Sequence, residues 1–240
     1  FSVVSECLSA GLHVWCEKPM TLSVEQTENL VKACKEKGIE IVVNHCRRWD
    51  PYYALVENMI RSGEIGEPYM ILARSAVGIV NCGSHLFDLM IQCANSSVEY
   101  VFADIIDDES VDPGGVGFIK FENGLHGFVD CTWKEYFDFG ISIRGTLGEI
   151  NVFETPTHVS KIEITKFSDL TTSERRKIEI PVNSTRMKDA LAEILSNIQT
   201  GSSIKSSGTT GIYSLEVAQA FHESWESNKK VFLPLHDKKR

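Results

Sequence analysis

The sequence predicts a small α/β unit joined to a larger α+β unit: the last part of a doubly wound parallel sheet, then a large, mainly antiparallel sheet packed against helices. Residues 1–46 alternate helical and strand patterns, with a strand–helix–strand unit of about 30 residues that is typical of parallel strands. Between residues 98 and 180, short alternating runs are separated by turns that contain Gly and Asn, which is typical of antiparallel strands. We therefore expect two domains, over residues 1–46 and 47–240.

Helix boundaries follow from capping residues. Ser23 is expected to cap a helix, whereas Gly11, Gly38 and Gly63 each follow a helical pattern as C-terminal caps. The helices are expected over residues 2–10, 24–36, 52–62, 82–94, 185–199 and 209–227.

Strand boundaries follow from period-two alternation and from turn residues. Asn123-Gly124 between two such runs predicts a hairpin. The strands are expected over residues 12–16, 39–43, 69–77, 98–107, 115–121, 125–133, 139–145, 148–153, 158–167, 175–181 and 231–235.

Composition limits the function classes. A net charge of −9 and a pI of about 5.3 argue against nucleic acid as a partner. No apolar run approaches the roughly 20 residues that a membrane-spanning helix needs, and the first residues do not resemble a secretory signal. The 7 cysteines are odd in number and lack CxxC or Cys/His metal spacing. We expect reduced thiols in a cytoplasmic protein without a metal site.

Glu17-Lys18-Pro19 is the first candidate for chemistry. It follows a short apolar run that is expected to be a buried strand, and ligands of open α/β sheets bind at the carboxyl ends of strands. Proline fixes the backbone after the lysine. An ordinary surface Glu-Lys pair in a turn is the alternative.

A second candidate lies at the start of the helix over 82–94. Asn81 is expected at its N-cap, and His85 lies four residues further on, so the two side chains can face the same space. Asp88 could orient the imidazole from behind and fix its tautomer. The alternative is a capped helix with an ordinary polar first turn.

Trp133, in the β-rich region with nearby Tyr136 and Phe137, would either line a cleft or lie in the core.

Taken in order, these motifs are similar to those of a known family. Glu17-Lys18-Pro19, the segment 44–51 with Arg48, and Gly83-x-His85-x-x-Asp88-Leu89 resemble the glucose–fructose oxidoreductase / inositol dehydrogenase / MocA-like family of NAD(P)-dependent oxidoreductases. The last helix and Val231-x-Leu233-Pro234-Leu235 fit the same family, so the resemblance runs from residue 1 to about residue 235.

The resemblance implies an enzyme that uses NAD or NADP to oxidise or reduce a sugar, cyclitol or similar polyol. Lys18 and His85 would be catalytic and would touch the substrate together with Asn81. Asp88 would support them from behind. The cofactor would be held by Glu17, Lys18, Pro19, Asn44 and Arg48.

Two departures from the family pattern stand out. The family often has Asp where this chain has Asn81, and an amide cannot accept a proton at neutral pH, so the proton relay must depend on Lys18 and His85. No strand of the sequence leads into GxGxxG, the loop that binds pyrophosphate. We expect residues 1–46 to be the C-terminal part of a Rossmann-like domain that is incomplete in this chain.

The alternative function is a non-catalytic sugar-binding or assembly subunit derived from the same family. In either case, a large antiparallel sheet has a second face that must be covered, so we expect a homodimer or homotetramer formed through the sheet.

Overall fold

The computed structural model describes residues 2–106, 109–180 and 185–235. The N-terminal part folds as predicted. Its elements are α1 (Ser2–Ser9), β1 (Val14–Cys16), α2 (Val24–Glu36) and β2 (Ile41–Val43). Strands β1 and β2 pair in parallel, with Val14 opposite Ile41, which confirms the strand–helix–strand unit.

The capping prediction for α2 is confirmed. The Ser23 hydroxyl accepts a hydrogen bond from the Gln26 amide at 3.4 Å, and Gly38 follows the helix with a φ of +66°. This positive φ is the reason for glycine there, since other residues rarely adopt it. Leu30 and Cys34 pack the buried side of α2 against β2 and Met20.

The larger unit is built on a nine-stranded sheet. Its order is β10-β9-β8-β7-β3-β6-β5-β4-β11, and all neighbours are antiparallel except β3 and β6. The strands are β3 (Pro68–Ser75), β4 (Val98–Ile106), β5 (Gly114–Phe121), β6 (His126–Asp130), β7 (Phe139–Gly145), β8 (Gly148–Glu154), β9 (Val159–Phe167), β10 (Ser173–Glu179) and β11 (Val231–Phe232). The predicted mainly antiparallel sheet is confirmed, although β6 and β11 are shorter than expected.

Helices α3 (Pro51–Arg61), α4 (Gly83–Ala94) and α6 (Gly208–Ser227) contribute to the core on one face of this sheet, and α5 (Arg186–Thr200) lies outside that core. Along β4, Val101 and Ala103 are buried in the core against α4 and α6, whereas Phe102 points the other way and is 44% exposed. This alternation is the period-two pattern that the sequence showed.

The last helix contacts both sheets. Gly211 of α6 lies so close to β2 that a Cβ there would stand 2.6 Å from Val43 Cγ2, and Val42 of β2 bridges to Ser207 just before the helix. Helix α5 packs on the 3₁₀ turn Cys46–Trp49, where Trp49, Ala190 and Val42 share a small core. The C-terminal helices therefore hold the parallel strands against the large sheet, and the domain division at residue 46 stays a prediction.

Among the described residues, no helix is both long and apolar enough to cross a membrane.

Candidate active site

The carboxyl ends of β1 and β2 bring the first group of predicted residues together. The Asn44 amide donates a hydrogen bond to Glu17 Oε1 at 2.6 Å, and the Asn44 backbone N–H bonds Cys16 O at 2.8 Å. The second polar atom of this side chain, Asn44 Oδ1, is buried and has no hydrogen-bond partner among the residues that the structure describes. Parallel pairing is the cause, because it places residues that follow the two strands side by side.

Lys18 connects this strand edge to the second motif. Its ammonium donates to Asn81 O at 2.6 Å and to Asn81 Oδ1 at 2.8 Å, across 63 residues of sequence. Burial lowers the pKa of Lys18 below its usual value, and the nearby Arg47 guanidinium lowers it further, against the opposing effects of Cys82, Glu17 and Cys46. Lys18 therefore loses its proton more readily than a solvated lysine.

Asn81 does not cap α4, so that prediction was wrong by one residue. The N-cap is Cys82, without a side-chain cap hydrogen bond. The Asn81 side chain is instead held by Lys18, and its backbone N–H donates to Asp112 Oδ2 at 2.9 Å. Ser84 Oγ donates to Asn81 O at 2.9 Å, so the same carbonyl receives both Ser84 and Lys18.

His85 lies on the first turn of α4 and is only 8% exposed. Its Nδ1 atom is buried and has no hydrogen-bond partner within the described part of the chain. Burial lowers the pKa of His85 well below its usual value, and the positive charges of Arg47 and Lys18 act in the same direction. The imidazole is therefore neutral at physiological pH, with a lone pair that can accept a proton.

Asp88 does not support His85 directly, which corrects the sequence-based expectation. Its carboxylate is held by Arg48, with Nε at 2.9 and 3.0 Å and Nη2 at 2.8 Å from its oxygens. The planar guanidinium makes two parallel contacts that an imidazole cannot match. Arg48 Nη1 also donates to Lys205 O at 2.8 Å, so Arg48 ties the 3₁₀ turn to α4 and to the segment before α6.

His45 also lies at the site, although the sequence analysis did not single it out as a candidate. It is 1% exposed, its ring centroid lies 5.9 Å from that of His85, and its Nε2 lies 3.2 Å from Ser214 Oγ. Its Nδ1 lies 3.5 Å from Asp88 Oδ1. His45 lies two residues after the end of β2, just as Lys18 lies two residues after the end of β1. This shared position was the sequence signal that could have identified His45.

A buried ion network lies behind the site. Arg47 Nη2 bonds Glu154 at 2.7 Å, and Arg186 bonds both Glu154 at 3.0 Å and Asp50 at 2.5 Å. The Arg47 guanidinium also lies 3.6 Å above the ring centre of Phe139. Burial is the main cause that lowers the pKa of His45 and of His85; Arg47 lowers both further, and Arg186 lowers that of His85.

Trp133, Tyr136 and Phe137 are exposed rather than part of the core. Trp133 Nε1 donates to Asp112 O at 3.1 Å, and Asp112 in turn holds the Asn81 backbone. A role in lining the cleft stays a prediction.

In the part of the chain that the structure describes, no three His, Cys, Asp or Glu residues are grouped to hold a metal ion.

Comparison with known protein families matches two segments of the chain. Residues 1–45 match the profile of an oxidoreductase family with an NAD-binding Rossmann fold, and residues 72–151 match the GFO/IDH/MocA C-terminal domain. Myo-inositol 2-dehydrogenase of Thermotoga maritima is 23% identical over 261 residues, covering 96% of this chain and 75% of that enzyme.

Two further similarities agree with this result. The oxidoreductase YrbE of Bacillus subtilis is 23% identical over 169 residues, which cover 61% of this chain and 50% of that protein. The crystal structure of a putative NADPH-dependent oxidoreductase from Desulfitobacterium hafniense superimposes with a TM-score of 0.88 at 17% identity, covering 96% of this chain and 76% of that one. This structural likeness shows the shared fold. The chain thus spans half to three quarters of the length of these relatives.

Proposed function

The chain belongs to the GFO/IDH/MocA family of oxidoreductases, and from that premise we propose that it transfers hydride between NAD or NADP and a hydroxyl-bearing carbon of a sugar, cyclitol or related polyol. One observation carries the proposal most strongly. The contacts of Lys18 with Asn81, at 2.6 and 2.8 Å, bring two motifs that are far apart in sequence to one site, one helical turn from His85.

The residues at the strand edge fit the ribose of a nicotinamide cofactor. Glu17 offers carboxylate oxygens and Lys18 offers an ammonium. No described residue bonds the buried Asn44 Oδ1, and a ribose hydroxyl could supply that hydrogen bond. When bound, the cofactor accepts or gives the hydride. Our proposal assigns these residues to the nicotinamide end of the cofactor, with Arg48 holding the 3₁₀ turn beside them.

His85 and Lys18 act on the same substrate oxygen in two different ways. The neutral His85 accepts the proton that the hydroxyl loses as its carbon is oxidised, and it returns that proton in the reverse direction. The Lys18 ammonium stabilises the negative charge that develops on the same oxygen. Asn81 cannot take a proton, but its amide N–H₂ remains available to the substrate while its oxygen accepts from Lys18.

The test is turnover and binding with matched variants. Reduced nicotinamide is followed by absorbance with NAD or NADP and a panel of polyols that includes inositols. Lys18→Met and His85→Gln should each lower kcat by about 100-fold or more, as expected for loss of acid–base catalysis. Lys32→Met, on the exposed side of α2, and His222→Gln, on α6, are the controls and should retain activity.

Unchanged turnover in Lys18→Met or His85→Gln would remove that residue from the mechanism. Polyol binding by calorimetry without any nicotinamide reduction would instead favour the non-catalytic subunit.

As all 7 cysteines are free thiols, we place the protein in a reducing compartment, the cytoplasm.

The open face of the large sheet supports a homodimer as the partner arrangement. Phe102, Val116 and Phe128 stand on this face at 38–44% exposure, around a concavity of about 590 Å³. A second copy of the same aromatic face would cover it. Sedimentation should give a dimer that Phe128→Glu converts to monomer, whereas a monomeric parent chain would contradict this arrangement.

A further inference from the structure

A carboxylate that the sequence analysis did not consider holds the backbone segment that carries Asn81. Asp112 lies two residues before β5, and its two carboxylate oxygens accept from consecutive backbone amides. Its Oδ1 accepts from the Val80 N–H at 2.8 Å, and its Oδ2 accepts from the Asn81 N–H at 2.9 Å. Because each oxygen has its own donor and the acceptor is ionised, the carboxylate fixes both the place and the orientation of this backbone.

Asp112 is itself held in place. Its carbonyl oxygen accepts from Trp133 Nε1 at 3.1 Å, and its backbone N–H donates to Ser110 Oγ at 3.3 Å. Gly78 provides the room on the other side, since a Cβ there would stand 2.5 Å from Asp112 Oδ1. Any side chain at position 78 would therefore have to displace Asp112.

Asn81 transmits the position of this backbone to Lys18. Its carbonyl oxygen and its Oδ1 accept from Lys18 Nζ at 2.6 and 2.8 Å. The same carbonyl accepts from Ser84 Oγ at 2.9 Å, while the Asn81 N–H is given to Asp112. The two acceptors of the ammonium thus belong to one residue, and a shift of its backbone must move both of them.

The contacts of Asp112 connect it with Lys18 through Asn81. Hydrogen bonds to an ammonium favour its charged form, so a release of Asn81 should lower the pKa of Lys18 further. Burial is the main cause of the present lowering, and the charged or titratable groups that contribute most to the pKa of Lys18 are Cys82, Glu17, Arg47 and Cys46.

We propose that Asp112 is a positioning residue for the reaction: it holds the backbone of Asn81 so that the Lys18 ammonium and the Asn81 amide meet the same substrate oxygen. In this role Asp112 acts only through Asn81 and moves no proton, which leaves His85 as the base. The inference rests on the proposed function, because it names the group that orders the residues of that site.

Two variants separate geometry from charge. Asp112→Asn removes the charge, and its amide offers one acceptor oxygen to two N–H groups, so one of them loses its partner. Gly78→Ala keeps the charge but displaces the carboxylate; if its Tm shows that it does not fold, Asp112→Glu, which also keeps the charge, takes its place. Asp169→Asn is the matched control, because Asp169 also accepts from consecutive backbone amides, those of Thr171 and Thr172 at 2.7 and 2.8 Å, in an exposed turn between β9 and β10.

Carbon NMR of the Lys18 Cε reports on the ammonium without turnover. Asp112→Asn and Gly78→Ala should each lower the pKa of Lys18 by about 1 unit, because the ammonium loses acceptors, and Asp169→Asn should leave it unchanged. In the active enzyme, Asp112→Asn should lower kcat by about 10-fold or more, as expected for a misplaced catalytic group. The KM for the nicotinamide cofactor should stay the same, because Glu17 and Asn44 keep their contact.

A Lys18 pKa that is the same in Asp112→Asn and in Asp169→Asn would overturn the proposal. A decrease in Asp112→Asn but not in the variant that keeps the charge would also overturn it, since the carboxylate would then act by its charge. A parent chain that reduces no nicotinamide, but in which both variants lower the pKa of Lys18, would contradict the proposed function and support the hold of Asp112 on Lys18.

Discussion

Replacing Asn81 with Asp tests the electrostatics of the site directly. Asn81 Oδ1 lies 2.8 Å from Lys18 Nζ, so Asn81→Asp puts a negative charge in contact with the ammonium. At that distance Coulomb's law gives about 1.5 kcal/mol with the dielectric constant of water and about 6 kcal/mol with that of a protein surface. Lys18 is half-buried, and the new carboxylate must itself be desolvated, so the effect should lie near the lower figure. We therefore expect the pKa of Lys18 to rise by about 1–2 units.

Carbon NMR of the Lys18 Cε, assigned with Lys18→Met, follows the titration. Asn29→Asp is the matched control, because it adds the same charge on the exposed surface of α2 and should leave the Lys18 titration unchanged. In the active enzyme Asn81→Asp should move the lysine-dependent limb of the pH–rate profile to higher pH. A Lys18 pKa that stays constant or falls in Asn81→Asp would refute the geometry on which the mechanism depends.

Three further predictions concern stability. His85 in the unfolded chain binds a proton near pH 6.5, whereas its pKa in the folded protein is well below that value. The free energy of unfolding, measured in urea, should therefore fall as the pH drops below 6.5. His85→Gln should reduce this dependence of the free energy on pH by up to about 1.4 kcal/mol per pH unit. Glu154→Gln removes the carboxylate that pairs with the buried Arg47 and one of the two that pair with Arg186, so it should cost about 3–5 kcal/mol by chemical denaturation. Glu149→Gln, which loosens a more exposed pair with Arg144, should cost less than about 1 kcal/mol. Gly211→Ala would place its Cβ 2.6 Å from a β2 side chain and should lower Tm, at a cost of about 1–3 kcal/mol, although alanine normally stabilises a helix.

Local sequence patterns predicted most elements, because their boundaries depend on short-range physics. Ser23 caps α2 since its hydroxyl reaches an amide three residues away, and Gly124 forms the hairpin turn with a φ of +93°. Both need only neighbours in sequence. The predicted β5–β6 hairpin is therefore confirmed, with Phe118 opposite Phe128.

Side-chain partners at the site were harder to predict, because spacing fixes which residues can meet but not which contact is strongest. Asp88 is three residues from His85, yet Arg48, 40 residues away in sequence, holds it. Asn81 could have capped α4, but Lys18 holds its side chain. In both cases a cation brought by the tertiary fold forms a stronger bond than the local one.

The position of α6 explains why the contacts of His45 were not visible in the sequence. Ser214 reaches His45 only because Gly208 and Gly211 let α6 approach β2 closely. The same approach closes a small cavity beside Lys18. Burial lowers the pKa of Lys18, His45 and His85 and so favours their neutral forms. Neutral bases accept protons, and an alcohol that loses hydride must also lose a proton. The packing of one helix thus biases the proposed site toward taking the proton of a substrate hydroxyl.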